Sequence, residues 1–420
     1  LKAIALSQTE PAAAVNPEAT GQARRAGGGH YNPCIVTAPL PRAVKALGLV
    51  SLLTDASSEM IYPLLPTFLT RVLGAGPAVL GAIEGVAEAT ASLLKLASGW
   101  LADRVPRRKP LVVLGYGLSS IARPLVGLAT SSGQVLAVRF ADRVGKGTRG
   151  APRDALVADV TPADVRGRAF GFQRAMDHAG AVAGPLLASS LLLAGLELRA
   201  VFLWAALPAV VCMLVLVLAV REQPRREGPP VARAGPAASL GAFHRYLALL
   251  ALFTLGNSSD AFLLLRAQES GMGLAAVPLL WSFHHVVKAA SSTWAGTLSD
   301  RFGRRATIVA GWGVYAVAYA GFAFATGPAA PWALFAVYAL YHAATEGPER
   351  AFVADLAGPQ ARGRAFGLYH AVTGAMLLPS NLLTGWLWQS YGAPAALGLG
   401  AACALVASLG LLACVRERPR

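Results

Sequence analysis

The sequence predicts an all-α membrane protein of twelve transmembrane helices in two similar halves, on three observations. Of its 420 residues 55% are hydrophobic and only 14% are charged, with a mean hydropathy of +0.51, too apolar for an ordinary soluble fold. Apolar segments recur at about 20 to 28 residues, the length a helix needs to cross roughly 30 Å of hydrocarbon. Finally, APRDALVADVTPADVRGRAFG from Ala151 aligns without gaps with GPERAFVADLAGPQARGRAFG from Gly347, 196 positions on.

Residues 1–42 are rich in Ala, Pro and Gly and lack helical periodicity, which predicts a disordered cytoplasmic tail. The first six spans are expected near 44–71, 77–102, 109–130, 134–159, 166–194 and 199–220. The second six are expected near 244–267, 274–299, 306–326, 331–356, 363–389 and 394–415. This divides the chain into a bundle at 43–220, a Pro-, Gly- and Arg-rich linker at 221–243, and a second bundle with a short tail at 244–420.

Basic residues cluster after the even-numbered spans, as at Arg104, Arg107, Arg108 and Lys109, whereas the loops after spans 3, 9 and 11 contain no Lys or Arg. That asymmetry predicts a multi-pass plasma (inner) membrane protein with both termini cytoplasmic. It also accounts for the net charge of +15 without nucleic acid, because no basic face is combined with base-stacking aromatics. The four cysteines, Cys34, Cys212, Cys403 and Cys414, show neither metal-type nor disulfide spacing.

A second repeat relates Gly99, Asp103, Arg104, Arg107 and Arg108 to Gly296, Asp300, Arg301, Arg304 and Arg305. The spacing G-x3-D-R-x-G-R-R resembles the loop signature of the major facilitator superfamily, complete in the second copy with Gly303 and altered in the first, where Pro106 replaces the inner glycine. The resemblance covers about residues 43–416. It implies two six-helix bundles related by a pseudo-twofold about a central cavity, each bundle made of two inverted three-helix repeats. It further implies a monomer that works by alternating access, without a cofactor and driven by an ion gradient.

Two motifs then gain expected roles. Asp103 is expected to face the start of span 11 beside Arg364, and Asp300 the start of span 5 beside Arg168, forming a latch on the cytoplasmic side. A carboxylate near a helix amino terminus gains about 0.3 to 1 kcal/mol. The competing reading is that these arginines only set topology. In span 5, Gly171, Gly180, Gly184 and Pro185 resemble the signature of the antiporter branch, although Ser189 and Ser190 stand where that pattern continues with glycines. Small residues at this spacing equally suit close helix packing.

For proton coupling the candidates are Asp55 and Glu59 in span 1, Glu84 and Glu88 in span 2, and Arg139 and Asp142 in span 4. Each acid pair is four residues apart and so shares a helical face. Desolvation favours the neutral form of a carboxylic acid, the property a proton carrier needs. Static pairing with Lys95, Arg123 or Arg139 is the alternative. In span 4, Arg139, Asp142, Arg143 and Lys146 form a stripe that must point inward, either to meet an anion or to be neutralised by Asp142, Asp154, Asp55 and Glu88.

The remaining cavity candidates in the first half are Tyr62, Arg123, Arg149, Arg174, Asp177 and His178. In the second half they are Asn257, Asp260, Trp281, His284, His285, Lys288, Tyr341, Glu346 and His370. The histidines suit a proton relay or a core hydrogen bond, and no spacing demands a metal. Tryptophans also serve as lipid-interface anchors.

The function expected is a proton-coupled antiporter exporting a small organic compound, anionic or amphiphilic, from a lipid bilayer setting. A proton symporter for a nutrient or siderophore-like compound, a divalent-metal transporter and a non-transporting sensor are the alternatives. No phosphate-cradling loop, nucleophile elbow or zinc spacing points to an enzyme.

Overall fold

The computed structural model describes residues 39–102, 104–162, 165–220, 222, 240–357 and 362–415. Most of the expected tail and linker, Asp103 and the arginines after Val415 lie outside these residues. The described residues form twelve spans. In the first half, α1 runs Arg42–Ile61 and continues through a 3-10 turn, a short helix and a π turn to Val72. Pro63 and Pro66 lack the amides a regular helix needs there. Next come α2 at Pro77–Ala102 and α3 at Lys109–Ala122, extended by the turn Arg123–Leu128. The half is completed by α4 at Ser132–Asp159, α5 at Arg166–Leu193, and α6 at Leu198–Trp204 and Ala206–Ala219.

In the second half, α7 is broken into Leu240–Gly256 and Asp260–Glu269. It is followed by α8 at Ala276–Phe302, α9 at Arg304–Ala323, α10 at Ala330–Ala357, α11 at Arg362–Tyr391 and α12 at Ala393–Cys414. Helix α7 starts four residues before the expected 244, so the end of the supposed linker is helical, with Phe243 buried in the core. Gly303, at φ 91°, makes the turn between α8 and α9 that an L side chain rarely adopts.

Seven helices among the described residues are long and apolar enough to cross a membrane. Helix α4 is not one of them, since its charges lower its hydropathy. Leu193, Leu218, Ile121, Val317 and Leu409 point outward on the perimeter, the surface a hydrocarbon solvent would cover.

Packing repeats between the halves. Helix α1 packs on α5 and α6, α2 on α4, and α3 on α4; correspondingly α7 packs on α11 and α12, α8 on α10, and α9 on α10. The two bundles meet where α2 packs on α11 and α5 on α8, a pair of contacts that exchange under the pseudo-twofold. Glycines allow the first approach. A Cβ on Gly81 would lie 2.2 Å from the Asn381 carbonyl oxygen, and one on Gly385 would lie 2.7 Å from that of Pro77. In the second, Ser189 donates to the Ala275 carbonyl at 2.8 Å and Ser282 to that of Val182 at 2.9 Å. All four contacts lie toward the face opposite the chain ends. At the face that carries the chain ends, Gly167, Gly171 and Gly367 have no neighbour within 4 Å of a built Cβ. The bundles are thus sealed together on one side and parted on the other.

Candidate functional site

Two connected cavities occupy the space between the bundles. The inner one, about 280 Å³, is lined by residues of α1, α2, α4, α7, α10 and α11. The second, about 430 Å³, lies toward the parted face and shares Ser58, Glu59, Glu88, Arg143 and Lys146 with the first. Its other walls include Asp55, Lys95, Arg149, Arg153, Arg174, Asp177, His178 and His285.

The charged stripe of α4 points inward as its spacing requires, and most of its members are neutralised. Arg123 of α3 donates from Nε to Asp142 Oδ1 at 2.8 Å, and from Nη1 to the Thr54 carbonyl at 2.8 Å and the Thr54 hydroxyl at 2.9 Å. Arg139 donates to Glu84 Oε1 at 2.5 Å, and Arg143 pairs with Glu88 at 3.0 Å and Asp142 at 3.4 Å. Arg149 donates to Ser119 at 2.6 Å with its guanidinium 4.5 Å above the Tyr116 ring. A cation–π contact of that kind contributes on the order of 1 kcal/mol. Arg153 spans Asp154 at 3.0 Å and Asp177 at 3.6 Å.

Within the coupling candidates this separates two kinds of acid. Glu84, fully buried, accepts from Arg139 and from Ser259 at 3.2 Å, the geometry of the static pairing that was its alternative reading. Asp142 is likewise enclosed by Arg123 and Arg143. By contrast, Asp55 makes no ion pair or side-chain hydrogen bond among the described residues, and Glu59 accepts only from the Trp281 indole at 2.8 Å. Both line the outer cavity.

Helix α5 meets α1 at the same place. A Cβ on Gly180 would lie 2.4 Å from the Leu52 carbonyl and 2.9 Å from the Asp55 Cβ, and one on Gly184 would lie 2.4 Å from the Ala56 carbonyl. The glycine spacing therefore seats α5 against the turn of α1 that carries Asp55. A Cβ on Gly171 would meet nothing within 4 Å, so this position does not need a glycine for close packing.

The second-half wall centres on the break in α7. Ser259 caps the second segment, its Oγ accepting from the Ala261 amide at 3.3 Å, while its own amide donates to Asn381 Oδ1 at 2.9 Å. Tyr62 and Ser259 join the bundles through hydroxyls 3.1 Å apart. Asp260 accepts from the Tyr338 hydroxyl at 2.5 Å, and Asn257 donates to that of Tyr341 at 3.2 Å.

Several cavity candidates stand behind the wall. Tyr341 is buried next to Tyr338, and His284 is stacked between Trp281 at 5.1 Å and Tyr338 at 5.5 Å, its Nδ1 3.2 Å from the Phe335 carbonyl. Lys288 pairs with Glu346 at 2.5 Å, and neither lines either of these two cavities. His370 is exposed away from both cavities, on the part of α11 toward the parted face. Trp281 is buried in the core, so lipid anchoring does not describe it. Ser58, Ser258, Ser259 and Asn381, all lining the inner cavity, were absent from the expected set. A neutral polar residue in a span stands out far less than a charge.

The loop signature holds each bundle together. Arg108 pairs with Asp159, and Arg304, 196 positions on, pairs with Asp355, equally displaced. Lys109 Nζ donates to the Val217 and Val220 carbonyls at 2.9 and 2.6 Å, and Arg305 to that of Val415 at 2.9 Å. Arg108 thus matches Arg304 in contacts, one position off the motif alignment. Arg104 folds over Trp100 at 3.6 Å, and a Cβ on Gly99 would lie 3.5 Å from the Ala151 Cβ. Arg107, Asp300, Arg301 and Arg364 are exposed at this face. Among the described residues no three His, Cys, Asp or Glu groups are placed to hold a metal ion.

Comparison with known proteins agrees with this geometry. The sequence profile of the Major Facilitator Superfamily matches residues 47–369 and 268–420. The chain belongs to the major facilitator superfamily. It is 34% identical over 358 residues to the uncharacterised MFS-type transporter MJ1317 of Methanocaldococcus jannaschii, covering 83% of this chain and 89% of that protein. A shorter match, 31% over 133 residues, links 32% of this chain to 33% of the multidrug resistance protein MdtH of Photorhabdus laumondii. In fold it is similar to a POT family transporter in complex with 5-aminolevulinic acid, at a TM-score of 0.75, 14% identity and coverage of 89% of this chain and 96% of that one. It is a membrane transporter of twelve spans in two pseudo-twofold bundles, and not an enzyme.

Proposed function

We propose that this transporter is a proton-coupled antiporter that exports a small organic compound by alternating access. The observation that carries the reading is Asp55: a carboxylate on a cavity wall, unpaired, and seated against the glycine face of α5. Protonation there changes the charge on the cavity wall and beside α5, the helix that meets α8 of the other bundle, which is how an ion gradient would bias one bundle against the other. Glu59, bound by a single neutral donor, is the second carrier. The short MdtH match supports export. With the basic face cytoplasmic, the parted side opens inward, ready to load a compound from the cytoplasm.

The test uses inverted membrane vesicles energised to an acid interior and loaded with a pH-sensitive dye. Amino acids, organic acids, sugars, nucleosides and cationic dyes are added in turn. Antiport predicts that an accepted compound discharges the gradient. Acidification with the same compound supports the symporter reading, and no proton movement with any compound contradicts coupling.

A further inference from the structure

The inner cavity has a polarity of its own, and it differs from that of a drug pocket. Among its lining residues Leu377 is the one aliphatic side chain, and the rest are hydroxyl, amide, ring or charged groups. At about 280 Å³ it sits at the small end of ligand sites. An amphiphile would leave these polar groups unsolvated, at roughly 1 to 3 kcal/mol for each one left unpaired.

Three charges remain after the pairs are assigned: Glu59, which accepts only from the Trp281 indole, and one on each side of the cavity. Arg139 and Arg143 are answered by Glu84 and Glu88. Lys146, exposed into the cavity from α4, makes no ion pair or side-chain hydrogen bond among the described residues. Across the cavity, Asp260 receives one neutral hydrogen bond, from Tyr338, and no cation. It opens the second segment of α7, where the free amides of a helix amino terminus favour a negative charge. Lys146 and Glu59, the second proton carrier of the reading above, therefore belong to one bundle, and the unanswered anion Asp260 to the other.

We infer that the inner cavity takes a small dipolar molecule, with its carboxylate or other anionic end at Lys146 and its ammonium end at Asp260. This rests on the transporter reading above and names its substrate class. A ligand carrying one charge would leave the opposite wall uncompensated, and one carrying none would satisfy neither. A dipole bound at both ends ties together the two walls that must move relative to each other, whereas a single pole holds one.

The probes are glycine, 3-aminopropanoate, 4-aminobutanoate and 6-aminohexanoate, with pentanoate and pentylamine as single-charge controls. Binding to the purified full chain is followed by thermal shift without any gradient. At least one amino carboxylate should bind about tenfold or more tightly than either control. Lys146→Gln should remove the preference for carboxylate over the matching amide, Lys146→Arg should keep it, and Asp260→Asn should remove the preference for the amine. Binding of pentanoate or pentylamine as tightly as the amino carboxylates, or no binding by any of the series, overturns the inference. Proton discharge by an apolar cationic dye would overturn it too while leaving antiport standing. Dipole binding with no proton movement would do the reverse.

Discussion

The two bundles share a backbone plan yet fill it with different chemistry. Positions 196 apart pair Arg139 with Phe335, Asp142 with Tyr338, Arg123 with Tyr319 and Ser119 with Tyr315. On the first side the inward face is a lattice of guanidinium–carboxylate pairs. On the second it is a stack of rings, with Phe253 on Trp312 at 4.6 Å and Tyr315 on Tyr319 at 4.0 Å. An ion lattice has groups whose partners change when one proton is added. A ring stack is satisfied in one state by dispersion and hydroxyl hydrogen bonds, and does not respond in that way. In the proposed reading, the first bundle is the one that senses protons and the second presents a fixed wall.

The contrast can be broken at matched positions. Arg123→Ala breaks the shorter of the two buried arginine pairs of Asp142, leaving Arg143 at 3.4 Å, and should cost about 3 kcal/mol, whereas Tyr319→Phe should cost about 1 kcal/mol. Melting of the purified variants compares them, and equal losses would erase the distinction between lattice and stack. Next, Arg139→Ala should lose about 3 kcal/mol, and the double variant Arg139→Met with Glu84→Leu should regain most of it, as expected when two buried charges are removed together. A double variant as unstable as the single would mean that Arg139 is held by more than its pair.

Along α5 the same logic separates glycines. Gly180→Ala forces a Cβ onto backbone at 2.4 Å and should cost about 1 to 3 kcal/mol, while Gly171→Ala should change stability by less than about 0.5 kcal/mol. Thermal melting checks both. A modest effect is expected in the ring stack. Trp312→Phe removes one of two donors to Glu349, leaving Tyr369 at 2.9 Å, and should cost about 1 kcal/mol by the same assay.

Much of this architecture was legible in the sequence because membranes impose long apolar runs and loop charge imposes topology. The repeat at Ala151 and Gly347 exposed the two halves for the same reason. Charge also betrayed the α4 stripe, since Arg139, Asp142, Arg143 and Lys146 had no outward solution in lipid. Pairing was not legible. Which of Glu84, Glu88, Asp55 and Glu59 meets an arginine depends on helix rotation and depth, which span boundaries uncertain by a few residues do not resolve. Nor did the sequence reveal Asn381 or the break at Asn257–Ser259, because Ser and Asn sit inside many spans without interrupting them. The role of the loop signature within each bundle was likewise visible only when Asp159 and Asp355 appear beside Arg108 and Arg304.

The central claim is that an unpaired carboxylate on α1 links proton binding to bundle movement. Asp55→Asn tests it most directly in proteoliposomes, with the compound that discharges the gradient in wild-type vesicles supplied as a radiolabelled tracer. The account predicts that exchange of tracer across the membrane at equal concentrations stays within about threefold of wild type, while accumulation driven by a pH gradient falls to background. Gradient-driven accumulation that survives Asp55→Asn undiminished would contradict it.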